Sequence, residues 1–216
     1  MRRSPRIEHG SKQIDIAANG TGGMQDYSAG GCRLTFDPGQ TTKTINVSIM
    51  NDTLDEEDEN FFVNLGVPAN ATLADGQGQA AITDDDAAPS ITIGNSYAFE
   101  NLDANAVFQV TLSAASGKTV AVNYATASGT ATAGQDYTAA TGTLTFTPGQ
   151  TVKTINIPLL NDVLDEPQSE TFFVGLSAPV NATVAVSQGQ GNIYDDGCLL
   201  FQLTKMARHD LLSALD

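Results

Sequence analysis

Two segments of this chain carry nearly the same sequence, about 110 residues apart. Residues 26–40 read DYSAGGCRLTFDPGQ, and residues 136–150 read DYTAATGTLTFTPGQ. The similarity continues through an alternating run (TTKTINVSIMND, then TVKTINIPLLND), an acidic stretch (TLDEEDENFFVNL, then VLDEPQSETFFVGL) and a closing group of aspartates. An internal repeat constrains the fold before any local pattern does. The chain is therefore predicted to hold two copies of one domain, each of roughly 100 residues.

The second copy has the pattern of short β-strands joined by turns. Apolar and polar residues alternate, as in a sheet with one buried face. Residues 147–150 (TPGQ) predict a turn, because Pro fixes φ and Gly tolerates positive φ. About seven strands are expected, marked by Ser90–Ile93, by Val107, Val110 and Leu112 with Phe108 beside them, by Val120, Val122 and Tyr124, by Leu144 and Phe146, by Ile155, Ile157 and Leu159, by Phe172, Val174 and Leu176, and by Val184 and Val186 leading towards Ile193. This pattern predicts an all-β protein of tandem immunoglobulin-like antiparallel sandwiches with Greek-key connections.

The first copy is shorter on its N-terminal side. About 45 residues separate Ser90 from Asp136, whereas 25 residues precede Asp26. Within those 25, Ile14 and Ile16 indicate a strand. The first copy is expected to lack the first two strands and to expose an open sheet edge with unpaired backbone groups. The chain could be a fragment of a longer array or could begin at a misplaced start codon, or the first copy could be a shortened but real domain.

The domain boundaries follow from these patterns. We expect a partial domain over residues 1–86, a complete domain over 87–197 and a tail over 198–216. The tail fits either a short amphipathic helix or an unstructured extension, since its apolar residues recur loosely at helical intervals: Leu199, Leu200, Leu203, Met206, Leu211, Leu212 and Leu215.

The charge balance excludes several classes of function. The chain has 25 acidic and 10 basic residues and a formal net charge of −15. This argues against nucleic acid and anionic membranes as partners, and favours cations. No apolar run approaches the roughly 20 residues of a membrane span. The two cysteines, Cys32 and Cys198, do not recur between copies and are expected to be free thiols.

Enzymatic motifs are missing from the repeated bodies. They contain no Gly-x-Ser-x-Gly, no phosphate-binding glycine loop and no His. Paired carboxylates could hydrolyse a glycosidic bond, but that reaction needs a pocket, and a small sandwich with surface loops offers little depth. No enzymatic activity is expected.

The acidic residues recur on loops rather than on strands. In a Greek-key sandwich the loops after alternate strands gather at one end, so distant turns can meet there. Converging carboxylates repel one another without a counter-charge. Oxygen-rich clusters suit Ca²⁺, which takes about 6–8 oxygen ligands, whereas Mg²⁺ needs tighter octahedral geometry and zinc prefers His and Cys.

Two long strings resemble the Calx-β domain: SGTATAGQDYTAATGTLTFTPGQTVKTINIPLLND, and DEPQSETFFVGLSAP closing on DD. The resemblance covers nearly all of residues 90–196, and residues 26–86 of the first copy. This module is known from sodium/calcium exchangers, integrin beta-4 and many bacterial surface proteins. The resemblance implies a sandwich with Ca²⁺ held by acidic loops at one end, and an extracellular or cell-surface location.

The resemblance also implies one set of metal ligands in each copy. The second set is Glu100, Asp136, Asp162, the backbone carbonyl of Leu164, Glu166, Glu170, Asp195 and Asp196. The first set is Asp26, Asp52, Leu54, Glu56, Glu59, Asp84, Asp85 and Asp86. Asn161, Asn51 and Gly197 stand where the exchanger domain has Asp, and the first copy has no counterpart of Glu100. Fewer charges imply fewer ions or weaker sites.

Two functions remain open. The first is a calcium-binding module of a larger surface or secreted protein, in which the ion stiffens the junction between domains. The second is a metal-free adhesion or spacer repeat that binds a protein or glycan. Neighbouring repeat domains are expected partners in both cases. Two smaller expectations are that Tyr27 and Tyr137 pack under the acidic loops, and that residues 70–72 and 181–183 (both NAT) form a turn.

Overall fold

A computed structural model describes residues 27–28, 31–162 and 166–195 with their side chains, and residues 12–20 as backbone. The chain divides into two compact units, Met1–Asp86 and Ala87–Asp216. The described residues form strands, turns and loops. No helix in the described part of the chain has the length and apolar character needed to cross a bilayer.

The described residues of the first unit form four strands in a single sheet. They are β1 (Lys12–Gly20), β2 (Gly31–Phe36), β3 (Glu59–Ala69) and β4 (Gln77–Ile82). The sheet is antiparallel, in the order β2-β1-β3-β4. Strand β1 confirms the strand predicted from Ile14 and Ile16.

The described residues of the second unit form nine strands, which are arranged as a two-sheet sandwich. They are β5 (Ser90–Ile93), β6 (Ser96–Phe99), β7 (Asn105–Leu112), β8 (Val120–Ser128), β9 (Thr141–Phe146), β10 (Val152–Pro158), β11 (Glu170–Val180), β12 (Thr183–Val184) and β13 (Gln188–Tyr194). One sheet has the order β10-β7-β5-β12 and the other β6-β13-β11-β8-β9. Neighbouring strands are antiparallel except in the pairs β5–β12 and β6–β13.

The core of the second unit lies between the two sheets. Phe172 is fully buried, and its ring meets Phe108 edge-on at 5.6 Å and stacks on Tyr137 at 4.3 Å. Burying each large apolar side chain contributes about 1.5–3 kcal/mol. The predicted alternation is confirmed at the inward positions of β7, β8, β10 and β11: Val120, Val122, Ile155, Ile157, Phe172, Val174, Phe108 and Val110.

Two details of the strand prediction were wrong. Val107 was grouped with Val110 and Leu112, but it is half-exposed, because the buried face of β7 consists of the even-numbered residues Ala106, Phe108, Val110 and Leu112. The described residues of this unit also form nine strands rather than about seven. The first predicted run is followed by a break at Gly94 and by the separate short strand β6, which a strand-length pattern does not reveal. The last predicted run, from Val184 towards Ile193, is divided into the two strands β12 and β13.

Each unit has its own copy of one sheet, which is built from the later strands of the repeat. Strands β1, β2, β3 and β4 occupy the repeat positions of β8, β9, β11 and β13. The turns also recur, since Gln40 and Gln150 each accept a hydrogen bond through Oε1 from the backbone three residues earlier, and Gly39 and Gly149 both have positive φ. Asn70 and Asn181 have φ of 59° and 55°, so both predicted NAT turns are present.

The alternating run at residues 42–48 was predicted to be a strand, but it is not one. Its counterpart β10 pairs with β7, and the described residues of the first unit contain no counterpart of β7. Without that partner the backbone has no ladder to join. The two strands predicted to be missing from this copy correspond to β5 and β7, and the described residues of the first unit contain no counterpart of either. They contain no counterpart of the short strand β6 either, which the sequence did not reveal.

Candidate metal centre

Glu100 lies near the start of the second unit in sequence, but in space it is next to the end of the last strand, β13. Strand β6 pairs with β13, and the backbone N–H of Glu100 continues this pairing by donating to the carbonyl of Tyr194 at 3.2 Å. The Glu100 side chain is 6% exposed. The fold therefore brings Glu100 beside Asp195, the residue that follows β13.

Asp136 is held by its own turn between β8 and β9. Its backbone N–H donates to the carbonyl of Thr132 at 3.1 Å, and its Oδ2 accepts a hydrogen bond from the backbone N–H of Thr132. Its carbonyl accepts from Leu160, in the loop after β10, at 3.0 Å. Asp136 is 4% exposed, and the next residue, Tyr137, is in the core as predicted. These contacts fix the carboxylate at the end of the sandwich where the β10–β11 loop begins.

The loop between β10 and β11 and the end of β13 supply further acidic groups. The backbone N–H of Glu166 donates to Oδ2 of Asp195 at 3.3 Å. Glu170 is the first residue of β11, and Asp162 follows β10. Burial, followed by the charge of Asp136, raises the pKa values of both Glu166 and Glu170, and side-chain hydrogen bonds with Asp136 add to the increase.

Three carboxylates come together at this end. One oxygen of each of Glu100, Asp136 and Glu166 lies within 4.8 Å of the other two. Oxygens on opposite sides of a Ca²⁺ ion are roughly 4.6–5.2 Å apart, given Ca–O distances of about 2.3–2.6 Å. The three oxygens thus fit within the ligand shell of one such ion.

The electrostatics of the cluster oppose its own ionisation. Burial, followed by the charges of Glu166, Asp195, Asp162 and Asp136 in that order of importance, raises the pKa of Glu100 to about 7. Burial is also the main cause of the raised pKa values of Glu166 and Glu170.

The lysines of this unit do not relieve that repulsion. Between residues 87 and 197 the basic residues are Lys118 and Lys153. Lys118 precedes β8, and Lys153 is near the start of β10. Both strands run from these lysines towards the acidic end, so the lysines lie at the opposite end of the sandwich. A bound cation would supply the missing positive charge.

Most of the predicted ligands of the first unit line one cleft. They are Asp52, Leu54, Glu56, Glu59, Asp84, Asp85 and Asp86. The backbone N–H of Asp84 donates to Oδ1 of Asp58 at 3.0 Å, which joins the closing aspartates to the acidic loop. Burial, followed by the charges of Asp85 and Asp84, raises the pKa of Asp86.

Sequence reasoning left two residues of this first cluster unassigned. Asp55 is 4% exposed, and Asp58 makes the hydrogen bond to Asp84. The recurrence of Leu-Asp-Glu at residues 54–56 and 164–166 was a signal for Asp55. Asp58 lies beside the point where the two acidic loops differ in length, so the repeat carried no signal for it. Three predicted ligands, Asp26, Leu164 and Asp196, lie outside the described residues.

A family model matches this chain twice. The model of the Calx-beta domain matches residues 14–86 and again residues 84–197. The chain belongs to the Calx-beta domain family. The resemblance inferred from the repeated strings is confirmed.

The curated relatives of this Calx-beta protein include sodium/calcium exchangers. Sodium/calcium exchanger 2 of Rattus norvegicus and of Homo sapiens are each 32% identical over 181 residues, which is 73% of this chain and 19% of the relative. Sodium/calcium exchanger 1 of Canis lupus familiaris is 31% identical over 183 residues, 71% of this chain and 18% of the relative. The Calx-beta chain thus spans about a fifth of the length of these relatives.

Solved Calx-beta structures are also similar. The apo-form Calx CBD1 domain is 27% identical, with a TM-score of 0.47, covering 50% of this chain and 97% of that one. The CBD12 structure from CALX1.2 is 21% identical, with a TM-score of 0.43, covering 88% of this chain and 90% of that one.

Proposed function

We propose that this chain is a calcium-binding Calx-beta module in which acidic loops at one end of the sandwich hold Ca²⁺. The observation that carries the proposal is the group of three mutually close carboxylate oxygens on Glu100, Asp136 and Glu166. Glu100 and Asp136 are almost fully buried, and burying carboxylates this close together is unfavourable unless a cation neutralises them.

The donor chemistry favours Ca²⁺ over other common metals. The cluster offers oxygen atoms, and neither His nor Cys is present between residues 87 and 197. In the second unit we assign ligand roles to Glu100, Asp136, Asp162, Glu166, Glu170, Asp195 and Asp196, together with the carbonyl of Leu164. In the first unit the corresponding set is Asp26, Asp52, Leu54, Glu56, Glu59 and Asp84 to Asp86.

The proposed role of the ion is mechanical and structural rather than catalytic. Three residues, Ala87 to Pro89, separate the aspartates that close the first copy from strand β5. An ion held by Asp84 to Asp86 would order the chain immediately before the second domain. We further propose that the module belongs to a surface or secreted protein, where millimolar Ca²⁺ would fill sites with a Kd on the order of 10⁻⁴–10⁻³ M.

Thermal unfolding of the full chain tests the proposal. Ca²⁺ at ten times its Kd stabilises the folded state by about 1.4 kcal/mol, which for a unit of about 110 residues corresponds to a rise in Tm of about 6 °C. Glu166→Gln combined with Asp195→Asn should abolish the rise in the melting transition of the second unit, which holds both residues. Asp103→Asn is the matched control, because it removes an exposed charge close in sequence to Glu100 and outside the assigned ligands.

The competing function is a metal-free adhesion or spacer repeat. It is favoured by the neutral residues Asn51, Asn161 and Gly197, which reduce the charge available to an ion. In that case the melting curves with Ca²⁺ and with chelator would superimpose. Sub-micromolar binding in isothermal titration would instead contradict the expected affinity.

A further inference from the structure

The inner face of the first unit's sheet is less buried than the matching face of the second unit. In the second unit four inward side chains of this sheet are at most 7% exposed: Phe146, Val174, Leu176 and Ile193. Their counterparts in the repeat are only partly buried, namely Phe36, Val63, Leu65 and Ile82. Apolar side chains stabilise a fold in proportion to the area removed from water. The first unit therefore keeps an apolar face that a second layer would stabilise.

Two matched glycines show where the space above this face lies. A Cβ at Gly189 would lie 2.5 Å from the carbonyl oxygen of Gly94 and 3.1 Å from the side chains of Ile93 and Phe108. Ile93 is in β5, Gly94 follows it, and Phe108 is in β7. A Cβ at Gly78 would meet no described atom within 4 Å. The position that β5 and β7 fill in the second unit is therefore open in the described part of the first.

Backbone groups of the first unit also lack strand partners within the described residues. Strand β4 is the outer strand of its sheet, whereas its counterpart β13 is paired with β6. The run at residues 42–48 forms no ladder, whereas its counterpart β10 pairs with β7. Ile49 is 50% exposed, while its counterpart Leu159 donates a backbone hydrogen bond to the carbonyl of Ala104 at 3.1 Å. In the second unit all of these partners belong to one continuous stretch, residues 90–112.

A segment of another chain fits these features better than a second copy of the same sheet does. Four strands of about six residues, roughly 4.8 Å apart, present a plane of about 400 Å², which is half of the ~800 Å² that each partner buries in a typical stable interface. Two such sheets packed face to face would also leave the edge of β4 and the run at 42–48 without hydrogen-bond partners. An added strand covers an apolar face and supplies backbone hydrogen bonds at the same time.

We propose that the first unit accepts a donor segment from another chain of the same family, and that this segment forms the equivalents of β5, β6 and β7. Its longest strand pairs with residues 42–48, its middle strand lies parallel to β4, and its first strand lies over Gly78. Its pattern is that of residues 90–112, with apolar inward residues at every second position of β7. The structure describes residues 90–112 in full, whereas residues 1–11 and the predicted tail at 198–216 lie outside the described residues.

The donor is a segment that is not already buried in a folded sandwich. In the second unit Ile91, Phe108 and Val110 are fully buried. This chain therefore keeps its own residues 90–112 and does not exchange them with a second copy. The free chain is expected to be monomeric, with its acceptor face open.

Fluorescence anisotropy of a labelled peptide tests the proposal on the full chain. The probe is a synthetic peptide of residues 90–112 carrying Glu100→Gln, because a carboxylate there would face the acidic cleft of the first unit. Chelator in the buffer keeps the result independent of the proposed calcium function. Saturable binding of one peptide per chain is expected. A peptide that also carries Phe108→Asp and Val110→Asp should not bind, since burying a carboxylate without a partner is unfavourable.

A substitution in the acceptor face separates specific binding from adhesion elsewhere. Gly78→Leu in the full chain should weaken peptide binding by about tenfold or more, because the new side chain fills the space that the donor needs. Its Cβ meets no described atom within 4 Å, so the free chain should fold with an unchanged circular dichroism spectrum. Gln79→Leu is the matched control. Gln79 is exposed on the opposite face of the same strand, so its substitution should change the affinity by less than about twofold.

Hydrogen exchange gives a readout that needs no variant. Saturating peptide should slow the exchange of the amides of residues 43–47 by about tenfold or more, and should leave those of residues 153–157 unchanged. Five results would each overturn the proposal. They are no saturable binding, binding that Gly78→Leu leaves unchanged, equal binding of the peptide with the two added aspartates, unchanged exchange at 43–47, and a dimer of the free chain that Gly78→Leu dissociates, which would identify a second copy as the occupant.

Discussion

Replacing Glu100 with Gln is expected to stabilise the ion-free second unit while weakening its response to Ca²⁺. Burial, reinforced by Glu166 and Asp195, raises the pKa of Glu100 from 4.5 to about 7. In the unfolded chain this carboxyl loses its proton at its ordinary pKa of 4.5, whereas in the folded state it stays protonated until about pH 7. The folded state therefore loses stability as the pH rises from 4.5 to 7, and the loss is complete above pH 7.

The size of the effect follows from this difference. One pKa unit corresponds to about 1.4 kcal/mol, so the full destabilisation is roughly 3 kcal/mol, which solvent screening and loop relaxation reduce to about 2 kcal/mol. Gln has nearly the same shape as Glu and carries no charge. At pH 8 in chelator the variant should therefore melt about 8 °C above the wild type. At pH 5 the gain should fall below about 1 kcal/mol, because Glu100 is already protonated in the folded state.

Scanning calorimetry at pH 5 and pH 8, with chelator and with Ca²⁺, measures both parts of the prediction. Adding Ca²⁺ should reduce the difference in Tm between the two proteins, because the Glu100 carboxylate of the wild type binds the ion more strongly than the neutral amide of Gln does. Asp103→Asn is the control: it removes an exposed charge, and the Oδ1 of the asparagine can accept the hydrogen bond that Oδ2 of Asp103 accepts from the backbone N–H of Phe99. The reasoning fails if Glu100→Gln melts no higher than the wild type at pH 8 in chelator, or if the gap is equal at the two pH values.

Two further predictions compare matched positions of the two copies. Gly189→Ala should destabilise the second unit by about 1–3 kcal/mol in chemical denaturation, because the new Cβ would lie 2.5 Å from the carbonyl oxygen of Gly94. In Gly78→Ala, at the equivalent position of the first unit, the new Cβ meets nothing within 4 Å, so this substitution should be nearly neutral. Equal losses of stability in the two variants would contradict the explanation that the first unit lacks the strands equivalent to β5 and β7. In hydrogen exchange, the amides of residues 43–47 should exchange much faster than those of 153–157, because only the latter belong to a strand paired with β7. Equal protection of the two segments would show that the first run does have a strand partner.

The sequence predicted most of the second unit because its strands have one buried and one exposed face. Alternation located Val120, Val122, Ile155 and Ile157 correctly, and the TPGQ turn followed from the special conformations of Pro and Gly. Alternation failed in β7, where Val107 on the outer face is as apolar as its inward-facing neighbours. Strand β6 was missed because four residues between turns give too short a pattern.

The acidic site was predictable in composition but not in geometry. Recurrence marked the acidic loops, yet it did not show that Glu100, Asp136 and Glu166 would meet, since that depends on the pairing of β6 with β13 and on the backbone bond from Leu160 to Asp136. The failure at residues 42–48 has a similar origin. A sequence with strand propensity forms a ladder only if its partner strand is present, and partners lie far away along the chain.

The two parallel pairs in the second unit determine how it resists stretching. Each of its first two strands, β5 and β6, lies parallel to one of its last two, β12 and β13. Tension applied through the two ends of the unit therefore pulls these paired strands in opposite directions along their own axes. Hydrogen bonds loaded in this shear direction share the force and must break together, whereas bonds in a hairpin pulled open break one at a time. A domain with this connectivity is suited to carry tension in a chain of repeats.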